Sequence, residues 1–318
     1  MTSLKVLDLS DSFQGDVQIP TTLGNLCNLH TLVLSYLNLS LESAKLGRIF
    51  SGCLKHSLVE LDLSHTSFNI INNSTLPPWL YKLSRLEHLN LHSNALQDRD
   101  IPANIGDFMS SLKSLDLSYN DPGLSLPTTL GNLCKLQELS RSGLNLRSKE
   151  ATKFEQIFSG CIVQSLRKLS SVETYLQGDM PDWIGGLKNL QMLDLSSNQI
   201  NSTLPALLFN LTTISHLDLS HNDFHGSILS LFENMISLEI LYLGANSHLE
   251  GPIPVTLGCI RNSLQWLVLL NTSLGGHFPD EIGNLKSLVW LDIGQNSISG
   301  SIPTTIGCVD RRSFGNPF

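Results

Sequence analysis

The chain is 318 residues long, with a formal charge of −8, 41% apolar residues and only 7% aromatics. The acidic balance gives no reason to expect nucleic acid or an anionic membrane surface as a partner. Leucine dominates the apolar set, which suits a narrow stacked core better than a round one. The opening stretch MTSLKVLDLS has no basic n-region, and no apolar run precedes the first leucine pattern. The longest apolar runs, such as Trp266 to Leu270, fall far short of the ~20 residues that a membrane helix needs. As written, the chain is expected neither to enter the secretory pathway nor to span a bilayer.

One unit is copied along the whole chain. It begins at Leu4, Leu29, Leu58, Leu86, Leu112, Leu136, Leu166, Leu190, Ile214, Leu238, Leu264 and Leu288, at intervals of 24 to 30 residues. A period of this kind predicts a single solenoid over residues 1–318 rather than the two round domains that length alone suggests. Each unit opens with an alternating run. In the fourth, Leu86, Leu89 and Leu91 are apolar, with Glu87, His88, Asn90 and His92 between them. Period two reads as a half-buried strand with its leucines pointing into the coil. Asn often follows the strand (Asn94, Asn120, Asn198, Asn222, Asn246, Asn296), and elsewhere the slot holds Thr66, Thr174 or Thr272. An Asn there can satisfy backbone groups that a tight bend leaves unpaired, and stacked coils would turn it into a ladder.

The second half of a unit reads Leu-x-Gly-x-Ile-Pro-x-x-Leu-Gly-Asn-Leu. Gly178, Gly226 and Gly300 permit unusual backbone angles, and Pro181, Pro205 and Pro303 block a regular helix. An extended turn and then a short helical or 3-10 stretch are expected on the back. Twelve strands at ~4.8 Å spacing would make a parallel sheet roughly 55 Å along, on the concave side. Two units depart from the pattern, with Arg141 and Ser171 in an inward slot that is otherwise apolar. Burying arginine is costly, so the strand there is expected to shift or end early, making this the weakest joint of the array. A larger duplication also shows. Gly24-Asn25-Leu26-Cys27 recurs as Gly131-Asn132-Leu133-Cys134, and Ile49 to Cys53 as Ile157 to Cys161, so a block of four units was copied.

These units resemble the plant-specific class of leucine-rich repeats. The marks are the LDLS strands (Leu7 to Ser10, Leu61 to Ser64, Leu115 to Ser118, Leu193 to Ser196, Leu217 to Ser220) and the Leu-x-Gly-x-Ile-Pro back segment. The resemblance covers Leu4 to Gly307 and implies an α/β repeat fold, a solenoid with a concave parallel sheet and 3-10 or short helices behind it. The Gly-Asn-Leu-Cys and Ser-Gly-Cys arrangement is similar to the ectodomains of plant receptor-like proteins of the ethylene-inducing-xylanase-receptor type, and to related receptor kinases. That likeness implies a non-catalytic recognition scaffold outside the plasma membrane. It implies a microbial or endogenous protein or peptide ligand, co-receptor kinases as signalling partners, and no cofactor. The alternatives are a secreted inhibitor similar to the polygalacturonase-inhibiting proteins, and the ectodomain fragment of a receptor kinase that perceives peptides. The chain departs from the family in lacking a signal peptide, terminal caps, a long island in the later repeats and a membrane helix. Its simplest account is a fragment, a truncated product or a partial gene model.

Cys27 and Cys53 end neighbouring units, and Cys134 and Cys161 repeat the relation. Adjacent coils put each pair within disulfide reach; buried free thiols are the alternative. Cys259 and Cys308 lie too far apart to pair with each other. Sequons stand at Asn38, Asn72, Asn73, Asn201, Asn210 and Asn271 and are expected to carry glycans only if the chain is secreted. A glycan at Asn271, beside the sheet, would limit access to it. The candidate binding surface is the sheet face. Its acidic column (Asp8, Asp62, Asp116, Asp194, Asp218, Asp292) recurs because the repeat recurs and so reads as a structural habit. More distinctive is the cluster of Tyr242, Trp266 and Trp290 with Ile240, framed by His216, His221, Asn271 and Gln295. Exposed aromatics on a rigid strand face are typical binding hot spots, and packing among themselves is the competing reading. No HExxH, Gly-x-Ser-x-Gly or kinase glycine loop is present, and His221 with His225 lacks a third metal ligand.

Overall fold

A computed structural model describes residues 3–12, 17–39, 43–67, 76–97, 101–145, 151–228 and 231–307. The sequons at Asn72 and Asn73, and Cys308, lie outside the described residues. The chain divides into two compact units, Met1–Leu176 and Gln177–Phe318.

In the first unit seven short strands run in parallel: β1 (Val6–Asp8), β2 (Thr31–Val33), β3 (Glu60–Asp62), β4 (His88–Asn90), β5 (Ser114–Asp116), β6 (Glu138–Ser140) and β7 (Lys168–Ser170). Each pairs with the next in chain order without a slip of register. The alternation explains the strands. The middle leucines Leu32, Leu61, Leu89, Leu115, Leu139 and Leu169 are buried, while the residues on either side of them face out. Full burial of such a side chain is worth about 1.5–3 kcal/mol, but only because the next coil covers it, which is why single repeats do not fold alone. The back of the unit carries 3-10 turns at Thr21–Asn25 and Thr128–Asn132 and short helices at Ser43–Ile49 and Ala151–Ile157.

The duplicated Gly-Asn-Leu-Cys and Ser-Gly-Cys motifs meet at this back corner. A Cβ added to Gly24 would strike the Ile49 carbonyl, and one added to Gly52 the Gly24 carbonyl. Only glycine lets the two backbones approach so closely. Cys27 is bonded to Cys53 across that contact and Cys134 to Cys161 in the copy, each with Cα atoms 4.9 Å apart. Cys259 is an exposed free thiol.

The second unit holds β8 (Gln177–Gly178), β9 (Met192–Asp194), β10 (Gln199–Ile200), β11 (His216–Asp218), β12 (His225–Ser227), β13 (Ile240–Tyr242), β14 (His248–Gly251), β15 (Trp266–Val268), β16 (Ser273–His277), β17 (Trp290–Asp292) and β18 (Ser297–Ser299). Strands β9, β11, β13, β15 and β17 form its main parallel sheet. The even-numbered strands make small parallel ladders beyond the turn, β8 with β10 and β12 through β18 in order. Gly178, Gly226, Gly251, Gly276 and Gly300, in or just after five of these strands, are left-handed, with φ between 75° and 90°. A proline then opens most of the 3-10 turns, with Pro181 before Asp182–Gly186, Pro205 before Ala206–Asn210 and Pro254 before Val255–Ile260.

The Asn slot supplies the rungs between coils. Asn120 Nδ2 donates to the Leu117 carbonyl in its own coil (2.8 Å) and to that of Leu91 in the coil before (3.0 Å), while its Oδ1 accepts the Leu96 N–H (3.1 Å). Asn246 repeats the pattern with Leu243, Leu219 and the N–H of Phe224 (2.8, 3.0 and 3.1 Å). Where Thr66 or Thr272 takes the slot, its hydroxyl bonds its own coil's carbonyl and the next coil's Asn94 or Asn296.

The shift or early end expected at Arg141 does not occur. Strand β6 stays in register with both neighbours, and Arg141 is fully buried in the inward slot. Two things make that tolerable. Its Nε donates to Ser171 Oγ at 2.7 Å, in the same slot one coil on, and its guanidinium lies 4.0 Å over the Phe154 ring from the helix behind. Burial lowers its pKa to about 9.

Candidate functional site

On the outward side of each strand the second position is usually acidic, and these carboxylates serve the fold. Asp8, Asp62, Asp116, Asp194, Asp218 and Asp292 each accept, through Oδ1, the backbone N–H two residues on, at 2.8–3.0 Å. That bond closes the strand into the following turn, where the next residue adopts a left-handed conformation, from Asp11 (φ 49°) to Gln295 (φ 52°). Asn90 does the same work without the charge. Asp218 differs in that burial, opposed by its Ser220 bonds and reinforced by Asp194, raises its pKa.

The coils of β13 and β15 break this habit, and that of β17 keeps its Asp292. Tyr242 and Val268 replace the acidic residue, and Gly244, Leu270 and Gly294 stand where Ser is usual. Around Gly244 lies a cavity of about 270 Å³ lined by Ser220, His221, Tyr242, Gly244, Ala245, Val268, Leu270, Asn271 and Gln295. A Cβ on Gly244 would reach 3.0 Å from the Leu270 carbonyl and 3.4 Å from Val268 Cγ1, so the glycine is what keeps that wall back.

On the other side of the Tyr242 column stands the first outward position. There the register sets His216, Ile240, Trp266 and Trp290 side by side. The two indoles stack with centroids 5.7 Å apart and planes 19° from parallel. Trp266 is half-buried and Trp290 is 51% exposed, so the pair packs on itself and still presents an aromatic face. His216 Nδ1 is 2.7 Å from Ser215 Oγ. The residues singled out in the sequence therefore fall into two groups, a row of His216, Ile240, Trp266 and Trp290 and a cavity with His221, Tyr242, Asn271 and Gln295. Sequence reasoning missed the rest of the cavity (Gly244, Ala245, Leu270). Its signal was the change from LDLSSN to LYLGAN.

Asn38, Asn201, Asn210 and Asn271 are exposed. Asn271 is both a sequon and a wall of the cavity. Among the described residues no three His, Cys, Asp or Glu side chains come together as a metal site, and no helix is long and apolar enough to cross a membrane.

Parallel three-residue strands recurring at the repeat interval, an internal Asn ladder and proline-led 3-10 turns define a leucine-rich repeat scaffold. One Leucine rich repeat family model matches residues 164–224 and a second Leucine Rich Repeat model matches residues 111–133 and 287–309. Receptor-like protein 32 of Arabidopsis thaliana is 30% identical over 220 residues, covering 68% of this chain and 22% of that protein. Among solved structures, the Arabidopsis receptor kinase HAESA, in complex with the peptide hormone IDA and the co-receptor SERK1, is 29% identical with a TM-score of 0.69. That match covers 96% of this chain and 52% of the HAESA chain. The plant peptide hormone receptor RGFR1 in complex with RGF2 is 29% identical with a TM-score of 0.66, over 92% of this chain and 48% of that one. The chain belongs to the leucine-rich repeat family, and its repeats are those of the ectodomains of plant receptor-like proteins and receptor kinases. They form a non-catalytic scaffold. The chain spans about a fifth of the length of the curated receptor-like proteins it matches.

Proposed function

We propose that this chain is a ligand-recognition segment of a plant cell-surface receptor, working outside the plasma membrane in defence signalling. The outward sheet face around Tyr242 is its binding site for a peptide or protein ligand. The observation that carries the reading is the cavity beneath Gly244 and Ala245, lying across the Tyr242 column from the stacked Trp266 and Trp290. An apolar hollow beside a rigid aromatic surface suits a side chain and its neighbouring backbone, with His221, Asn271 and Gln295 as polar partners at the rim. Support comes from HAESA and RGFR1, whose structures hold peptide hormones and, for HAESA, the co-receptor SERK1. By that analogy a co-receptor kinase ectodomain completes the complex here, and the ligand is microbial or endogenous.

The test is comparative capture. The full chain, secreted from plant cells, is immobilised beside the Trp266→Ala/Trp290→Ala and Gly244→Ser variants. Each is exposed to the same apoplastic and microbial culture peptides, and the retained peptides are identified by mass spectrometry. Peptides held by the wild type and lost from both variants support the site. An identical retained set on all three, with melting temperatures unchanged, would rule it out.

A further inference from the structure

The first unit carries an aromatic surface that neither the core nor the Asn ladder uses. Tyr36, His65 and Tyr119 are the left-handed residues that follow strands β2, β3 and β5 (φ 62°, 53° and 54°), and His92 stands one position earlier after β4. Their rings form an unbroken run. Tyr36 stacks on His65 at 4.4 Å with planes 8° apart, His65 meets His92 at 5.0 Å, and His92 meets Tyr119 at 5.2 Å edge-on. Four coils are crossed, roughly 15 Å at the spacing of neighbouring strands. The ends are open to solvent, with Tyr36 58% and Tyr119 46% exposed.

The charge beside this run is of one sign. The outward positions of β1 to β5 carry Asp8, Glu60, Asp62 and Asp116, and no Lys or Arg. The stack covers its own inner faces, so what it offers a partner is the outer rings of Tyr36 and Tyr119, and these, with carboxylates on the neighbouring strands, are complementary to a planar cation. Guanidinium stacks on aromatic faces and bonds carboxylates at once, which the compact, strongly hydrated ammonium of lysine does less well. We propose that the Tyr36–His65–His92–Tyr119 ladder is a docking surface for an arginine-bearing, cationic stretch of a peptide or protein partner. The exposed rings of Tyr36 and Tyr119 take the guanidinium planes, and Glu60, Asp62 and Asp116 supply the opposing charge. This surface lies wholly within the first unit and stands independently of the Trp266 and Trp290 reading.

The experiment uses the full chain and three capped peptides in which glycine alternates with arginine, lysine or glutamate. Affinities are read by calorimetry at low and at raised ionic strength. The arginine peptide binds, the lysine peptide binds several-fold more weakly, and the glutamate peptide does not bind. The variant Tyr36→Ser/Tyr119→Ser keeps the fold, because Ser93 already occupies the same left-handed slot at φ 52°. It weakens the arginine peptide about tenfold, the loss of two exposed cation–π contacts. Glu60→Gln/Asp116→Asn weakens it too and flattens its salt dependence. Trp266→Ala/Trp290→Ala leaves it unchanged. Equal binding of the arginine and glutamate peptides, or capture of a neutral oligosaccharide in their place, overturns the proposal. So does wild-type affinity in the Tyr36→Ser/Tyr119→Ser variant, and a lowered melting temperature with that affinity would make the ladder a staple between coils.

Discussion

Arg141 is the largest fully buried side chain among the described residues, in a slot that holds Leu or Ile in every other coil except that of Ser171. Burial lowers its pKa to about 9, so keeping it charged inside the fold costs about 5 kcal/mol. The bond from Nε to Ser171 Oγ returns about 1.5–3 kcal/mol, and the desolvated stack on Phe154 about 2 kcal/mol. A small deficit is left, and leucine would remove it while keeping the slot filled. Arg141→Leu should therefore stabilise the first unit by up to about 1.5 kcal/mol, raising its melting temperature by roughly 2–5 °C. Arg141→Ala, which empties the slot, should destabilise it. The pH dependence has a definite sign. This base has a folded pKa below its unfolded one, so below about pH 9 the cost is present in full. As pH rises from there toward the ordinary guanidinium range the folded chain releases its proton first and the wild type gains. About 1.4 kcal/mol of the leucine advantage should be gone by pH 10. Urea unfolding of the wild type and both variants at pH 7 and pH 10 measures this. An Arg141→Leu variant less stable than the wild type at pH 7 would refute the reasoning, since the contacts to Ser171 and Phe154 would then outweigh the desolvation.

Asn246→Ala removes the Nδ2 bonds to the Leu219 and Leu243 carbonyls and the Oδ1 that accepts the Phe224 N–H at once, from a fully buried site. It should cost about 3–5 kcal/mol, seen as a lower urea midpoint and as faster amide exchange around Phe224. Asp218→Asn keeps an acceptor for the Ser220 N–H but no longer buries a charge. With the folded pKa of Asp218 raised, its penalty applies above the unfolded carboxylate range and vanishes below it. The variant should thus melt higher at pH 7 and level with the wild type in acid; an advantage that persists in acid would disprove the electrostatic cause. Cys53→Ala and Cys161→Ala each open a link between residues 26 or 27 apart in sequence and should lower stability by about 3–4 kcal/mol. Thiol titration of the unfolded wild type should find Cys27, Cys53, Cys134 and Cys161 blocked.

What the linear chain determined by itself was everything that depends on period. Leucines spaced for alternation, a following Asn, a left-handed Gly and a Pro recur together, and each acts within its own coil or on the next. The strands, the ladder, the positive φ of Gly178, Gly226 and Gly300 and the proline-led 3-10 turns were therefore legible. So was the Trp266–Trp290 row, because equal slots in adjacent units must meet. What only the tertiary structure decided were relations that depend on which residues lie across from one another and how much space they leave. Arg141 looked like a break because its cost shows in the sequence, while its relief, Ser171 Oγ and the Phe154 ring, comes from another coil and from the back of the fold. The cavity at Gly244 is an absence of side chains, and a pattern search that looks for functional groups passes over it. Tyr36, His65, His92 and Tyr119 do not even share one slot. Their rings meet because a left-handed turn swings three of them toward the slot of the fourth, and side-chain direction of that kind is set by backbone angles and the neighbouring coils.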